Sequence, residues 1–343
     1  MPSLDPETWF HERASHYVEA QVLFHLRSCG VFAALAEGGA TTGGLAERLG
    51  LAEPILETLL CFVEGVDVLL ARDSSGAWGL TEFGRSVVDR YGRTDADGLH
   101  LNLFDVRVGA YGPVWEACGA LLRGERTYGE DLVRKGAVAA DGVYKVGARM
   151  GPALAHWVES QDLDGVVEWG VTTGLLAGLS VPIRVGVDRS AEALEVAASR
   201  AAAEEQADID WVQADLFSPA SWIDRTPSGR AAHFSVHFHE LLAHGEEAVI
   251  GLLRSLGEAQ PGNLVVALEQ PRLELSARDT TPRSQWLYAC SNELIHHLIG
   301  NGRILDRAQW TDLFRRGGCA PIQSEPMGYL GYELLAFSLG GEL

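Results

Sequence analysis

The chain has 343 residues, of which 47% are hydrophobic and 22% charged. That is a globular composition with room for two domains, and it excludes a disordered, collagen-like or coiled-coil chain. Asp and Glu number 47 against 27 Lys and Arg, giving a formal net charge of −20. Such a surface repels phosphate backbones, so no nucleic-acid partner is expected. Five scattered cysteines without CxxC spacing read as buried thiols in a reducing compartment. No charged-then-apolar leader opens the chain, and no apolar run reaches the roughly 18 residues of a membrane span. The reading is a cytoplasmic protein with no membrane partner.

Residues 1–100 read as a helical domain with a turn-rich tail. Apolar residues recur at helical spacing through Val22, Leu26 and Leu35, with a break at Gly30. Thr41 or Thr42 suits the cap of a short helix that Gly50 ends, and Pro54 suits the first turn of the next. Two short apolar runs around Asp73-Ser74-Ser75-Gly76 then predict a hairpin. Helix, turn, helix, hairpin is the order of a winged helix. Its second helix carries Glu57 and Glu64 and no cation, which makes it a poor reader of a major groove and favours dimerisation.

Residues 101–160 read as an amphipathic helical linker and substrate lid, with Arg126 in the loop GERTYG. From 161 to 343 apolar, β-rich runs alternate with helical stretches. The runs are GVVEWG, IRVGVD, IDWVQAD, HFSVHFHE, LVVALEQ and ELLAFSL. The pattern predicts an α/β, Rossmann-like, doubly wound and mainly parallel sheet, whose ligands bind beyond the carboxyl ends of its strands.

Three of those ends carry a nucleoside-like pattern. Glu168, Gly170 and Gly174 form a glycine turn after the first strand, and Asp188 ends the second, 18 residues after Gly170. A carboxylate at that distance suits ribose hydroxyls. Asp215, with Leu216 and Phe217 beside it, ends the third strand and suits an adenine amine and ring face. Only the 14 residues 170–183 join the first two strands, near the minimum of about a dozen for a parallel crossover, so the first helix is short.

In this order the motifs resemble class I S-adenosylmethionine-dependent methyltransferases, and the N-terminal pattern resembles the dimerisation domain of their small-molecule O-methyltransferase branch. The resemblance spans nearly the whole chain. It implies S-adenosyl-L-methionine as cofactor, held by Glu168, Gly170, Gly174, Asp188, Asp215 and Leu216, and a homodimer formed through the N-terminal domain. Thr172 departs from the pattern, standing where the family carries a middle glycine that lets the backbone approach the cofactor. A side chain there adds bulk of the kind that costs roughly 1–3 kcal/mol when nothing moves.

Six of the eleven histidines fall in two late clusters: His233, His237, His239 and His244, then His296-His297. Period two in HFSVHFHE places His233, Ser235, His237 and His239 on one strand face, with His239 at the carboxyl end. Three readings of His239 stay open: a core histidine bonded to backbone, a general base with an ordinary pKa near 6.5, or a metal ligand with His296. The segments HELLxxGEEAV and ELIHHLIG further resemble the 2-oxo-acid C-methyltransferase branch. That resemblance implies a metal (Fe, Zn or Mn) on His239 and His296 that chelates the oxo acid. It also implies a substrate-carboxylate arginine corresponding to Arg126, and enolisation ahead of attack on the sulfonium methyl. Glu269, ending the LVVALE run, is placed to orient a histidine or complete a metal shell.

The expected function is methyl transfer from S-adenosylmethionine to a small-molecule natural-product intermediate, possible acceptors including the carbon of a 2-oxo acid. Two alternatives remain. The first is an enzyme of the same fold that has lost methyl transfer and performs cyclisation, rearrangement, decarboxylation or hydroxylation. The second is a winged-helix regulator with a sensory domain, which the uncharged second helix disfavours.

Overall fold

The computed structural model describes residues 5–91, 103–171, 174–203, 208–328 and 330–341. The chain divides into two compact units, 1–113 with 134–145, and 114–133 with 146–343.

The first unit opens with α1 (Pro6–Ser28), capped by Asp5, whose Oδ2 accepts from the Thr8 amide at 2.9 Å. Gly30, at φ 81°, turns the chain into α2 (Val31–Glu37). Thr41, rather than Thr42, caps α3 (Thr42–Leu49), and Gly50 ends it at φ 67°. Pro54 lies in the first turn of α4 (Glu53–Val66), where its missing amide leaves no bond unmade. The antiparallel pair β1 (Leu70–Arg72) and β2 (Trp78–Leu80) closes around Asp73, whose Oδ1 accepts from the Ser75 and Ala77 amides. α5 (Glu82–Tyr91) follows. Leu26, Val31, Leu35, Leu45, Leu60, Val63 and Trp78 make this unit's core. On α4, Glu57 pairs with Arg72 at 2.7 Å, and that guanidinium lies over the Trp78 ring at 3.9 Å.

Residues 101–160, read as a linker, are largely helical where described: a π-helical turn (Asp105–Ala110), α6 (Gly112–Glu116), α7 (Cys118–Leu122) and α8 (Gly136–Glu159). They form no third unit and are divided between the two.

The second unit is built on a seven-stranded sheet of order β5-β4-β3-β6-β7-β9-β8. Its strands are β3 (Gly165–Trp169), β4 (Ile183–Asp188), β5 (Asp210–Gln213), β6 (Ala231–Ser235), β7 (Leu264–Glu269), β8 (Cys319–Pro326) and β9 (Glu333–Leu339). The first five are parallel, and β9 runs antiparallel to β7 and β8. Every residue of β3, β6 and β7 is buried, which is why these strands read as unbroken apolar runs rather than as alternation. The helices are α9 (Ala191–Ala203), the one-turn α10 (Phe238–Leu241), α11 (Glu246–Ala259), α12 (Arg283–Ile299) and α13 (Arg307–Arg316). Trp169, Trp222, Phe238, Trp310, Phe314 and Phe337 fill the main core, with the Phe314 and Phe337 rings stacked at 4.0 Å.

The structure changes three expectations. The run HFSVHFHE is a strand only to Ser235; His237 precedes α10 and His239 lies within it. Cys29, Cys61 and Cys290 are exposed, and only Cys319 is fully buried. The edge strand β8 has no counterpart among the runs read from the sequence.

Candidate active site at the carboxyl edge of the sheet

Strand order brings the carboxyl ends of β5, β4, β3, β6 and β7 side by side along one edge. With strands about 4.8 Å apart, that edge from β4 to β7 spans on the order of 14 Å. Asp188, Gly170, His239 and Glu269 all lie on it.

Gly170 turns away from β3 at φ 79°, a conformation that favours glycine, and a Cβ there would meet nothing within 4 Å. A first side-chain carbon would therefore find room at this turn among the described residues. Asp188 ends β4 half-buried, its Oδ2 accepting from the Val171 amide at 3.2 Å and its Oδ1 from Ser190 at 2.8 Å. Each carboxylate oxygen carries two lone pairs, so both keep acceptor capacity for a ligand's hydroxyls. Asp215 is exposed beyond β5, with Oδ1 accepting from the Phe217 amide at 3.0 Å, and Leu216 is half-buried beside it. Glu168 is buried within β3. Gly174, at φ 68°, starts a single 3-10 turn (Leu175–Gly178), and this turn is all the helix that the crossover to β4 contains among the described residues. Thr172 lies outside the described residues. In strand order the edge thus carries a glycine turn, a half-buried carboxylate and an exposed carboxylate with an apolar neighbour, groups of the chemistry an adenosyl ligand would need.

The Ser235 hydroxyl joins this half of the edge to the histidines. It donates to the Trp169 carbonyl at 3.0 Å and accepts from the His237 amide at 3.1 Å, turning the chain out of β6. His239 is then buried against Glu269, whose carboxylate accepts from the His239 backbone amide at 2.8 Å and from its Nδ1 at 2.8 Å. With Nδ1 so engaged, Nε2 is buried with no hydrogen-bond partner among the described residues. The His296 ring stands 4.3 Å from it, centroid to centroid, at 76°. His296 in turn directs Nδ1 to the Asn301 carbonyl at 3.0 Å.

Both imidazoles are thus held through Nδ1 by an acceptor, which makes Nδ1 the donor and would leave Nε2 to meet a ligand. An orphaned buried nitrogen beside a second imidazole is a donor set suited to Fe, Zn or Mn. Among the described residues, the three that bring ligand-type atoms within 4.8 Å of one another are His237, His239 and Glu240, a group that does not include His296. Glu240 was legible only as the residue after His239; its place in the cluster comes from the one-turn helix.

Electrostatics separate the pair. Burial disfavours the imidazolium of His239, but the Glu269 carboxylate outweighs it and holds the pKa above the ordinary value. Burial, reinforced by the neighbouring His239, pushes His296 down to about 3. At neutral pH the His296 ring is therefore neutral, whereas Glu269 biases the His239 ring toward its charged form.

Arg126 is exposed and engaged within its own loop, where it pairs with the Asp131 carboxylate at 3.3 Å and also bonds the Asp131 carbonyl. The structure gives it no contact with the two histidines among the described residues.

No protein-family model and no curated protein matches the chain by sequence. Solved structures do match in three dimensions. The mitomycin 7-O-methyltransferase MmcR superposes with a TM-score of 0.76 at 15% identity, over 97% of each chain. Human N-acetylserotonin methyltransferase in complex with S-adenosylmethionine gives 0.71 at 17% identity, covering 99% of this chain and 100% of that one. A riboflavin-type dimethyltransferase, RosA from Streptomyces davawensis, gives 0.64 at 19% identity over 98% and 100%. At these identities the likeness is one of architecture: the chain has the Rossmann-like methyltransferase fold.

Proposed function

We propose that the chain is a small-molecule methyltransferase that binds S-adenosylmethionine across Gly170, Asp188 and Asp215. We further infer that it methylates the carbon of a 2-oxo acid, with a metal ion held by His239 and His296. The observation that carries this reading is the pair of buried imidazoles, each anchored through Nδ1, on the same sheet edge as the Gly170 turn and Asp188.

When bound, the sulfonium supplies an activated methyl group, and the ion supplies positive charge to an oxyanion. The chain's own residues bind and orient. Asp188 accepts the ribose hydroxyls on its remaining lone pairs, and Gly170 lets the backbone approach. Glu269 holds His239 in place through Nδ1 and favours positive charge on the ring, so Nε2 would serve as ligand or as base only from the deprotonated ring. Burial of Glu269, His239 and His296 strengthens these interactions by excluding water.

Calorimetric titration with S-adenosylmethionine tests the cofactor half: wild type binds, and Asp188→Ala binds at least tenfold more weakly. Absence of heat with wild type, or equal affinity in the variant, overturns it. Elemental analysis tests the metal half: about one ion per chain is expected, lost in His239→Ala. Fully active metal-free protein leaves His239 as a base alone. A second reading, a fold member that no longer transfers methyl, is favoured by the crossover after β3, which has a single 3-10 turn in place of an α-helix. Product mass separates the two, since methyl transfer adds one carbon and two hydrogens.

A further inference from the structure

The segment after α12 is bound to both histidines at once. α12 ends at Ile299 with Gly300 as its cap, in the left-handed conformation at φ 62°, and the chain folds back toward α10. Asn301 accepts from His296 Nδ1, while its own amide donates to the His296 carbonyl at 3.3 Å. Two residues on, the Arg303 amide donates to the His239 carbonyl at 3.3 Å. Gly302 lies between them at φ 84°, so near α10 that a Cβ would stand 1.9 Å from the His239 carbonyl oxygen and 2.9 Å from the Glu240 Cα. Both obstacles are backbone, so a side chain at 302 forces the loop away from α10.

We propose that residues 301–303 are a clasp that sets the separation of the His239 and His296 rings, with Gly302 as its positioning residue. The proposal rests on the reading that the two imidazoles act on one ligand. His296 meets the loop through its ring and its carbonyl, and His239 through its carbonyl alone, so the loop fixes the His296 ring and the backbone that carries the His239 ring. A displaced loop would move His296 Nδ1 off its acceptor and free the α10 turn, changing both rings together. Gly300 supplies the control. It shares the left-handed backbone, but a Cβ there meets nothing within 4 Å, so alanine adds strain without moving the loop off His239.

The test compares wild type, Gly300→Ala and Gly302→Ala. Cobalt(II) alone is titrated into metal-free protein and followed by its visible ligand-field bands, with His239→Ala as the blank. Nitrogen-15 NMR of the histidine rings is recorded on the same metal-free proteins. In wild type and Gly300→Ala the His296 ring is the Nδ1-protonated tautomer, and cobalt affinity agrees within threefold. In Gly302→Ala both the His239 and His296 ring signals shift, and cobalt binds at least thirtyfold more weakly. Unshifted ring signals in Gly302→Ala, or cobalt affinity within threefold of wild type, overturn the clasp. If wild type binds no cobalt, the metal reading fails, while the ring signals still decide the clasp. Should Gly302→Ala not fold, amide exchange in wild type decides: the Asn301 and Arg303 amides exchange as slowly as the β6 amides if the clasp holds, and rapid exchange overturns it.

Discussion

His233 is the one other histidine fully buried in the second unit, and it carries a prediction separate from the site. Its Nε2 bonds the Gln260 side chain at 2.8 Å, its Nδ1 is buried with no partner among the described residues, and Trp169 and Trp222 pack around the ring. Burial pushes its pKa down to about 4. The folded chain therefore keeps this ring neutral at pH values where the unfolded chain, with a pKa near 6.5, already takes a proton. Stability from this group is complete above about pH 6.5 and falls as pH drops toward 4, by roughly 2 kcal/mol at pH 5. His296 adds a loss of the same sign. His239 acts in the opposite sense: its raised pKa contributes stability below the ordinary value, and that contribution disappears as pH rises through its folded pKa. Urea unfolding at pH 7 and pH 5 checks this, with His233→Gln expected to lose less stability between the two than wild type. An equal loss in both proteins would put the acid sensitivity elsewhere. Cys319 behaves likewise, its thiol pushed up to about 12 by burial. Thiol titration of native protein should proceed through exposed Cys29, Cys61 and Cys290, and reach Cys319 only on unfolding.

Among the elements, α13 and the one-turn α10 are coupled through rings. Phe314 is 0% exposed, stacks on Phe337 and lies 4.9 Å from Phe238, the residue before His239. Phe314→Ala should cost about 3–5 kcal/mol of unfolding free energy and loosen the His239 turn. Denaturant titration measures the first effect, and a shift of the His239 ring signals in native protein the second. The α10 turn also shows where sequence reading stops. Alternation in HFSVHFHE continues past Ser235, but the Ser235 hydroxyl satisfies the next amide and bends the chain, a tertiary bond that periodicity does not encode. β8 went unread for another reason: CAPIQSEP holds two prolines and is mostly exposed, tolerable only because it is an edge strand. What was legible came from burial on both faces. β3, β4, β6, β7 and β9 announced themselves as apolar runs, and their order placed Asp188 and Glu269 on one edge. Glu269 against His239 was half-legible, since its position at a strand end and a histidine to orient were readable and which histidine was not. The acidic face of α4 gives a further expectation: Glu57 is already spent on Arg72, so the first unit should retard no DNA in a gel even at low salt.

For the whole molecule the question is self-association, and the first half of α1 frames it. Residues 5–18 are exposed throughout, including Trp9, Phe10, Tyr17 and Val18, so that half of the helix has almost no packing among the described residues. A helix of that length is marginal in water without a packed face. We propose that a second copy supplies the face, forming a homodimer through the first unit. Phe10 and Tyr17 are seven residues apart and share one side of the helix. Replacing both with Glu keeps helix propensity while removing the apolar contact, and should convert a particle of twice 37.0 kDa into one of 37.0 kDa by light scattering. Charge then sets the salt response. Each copy carries a formal −20, so long-range repulsion opposes association and apolar burial has to overcome it. The Debye length shortens from roughly 20 Å near 20 mM salt to about 8 Å at 150 mM, which screens the repulsion and leaves the apolar contact intact. The dimer should therefore tighten as salt is raised over that range, by sedimentation equilibrium, whereas an interface held by ion pairs would weaken. Dissociation on adding salt, or an unchanged mass in the Phe10→Glu, Tyr17→Glu variant, would remove α1 from the interface.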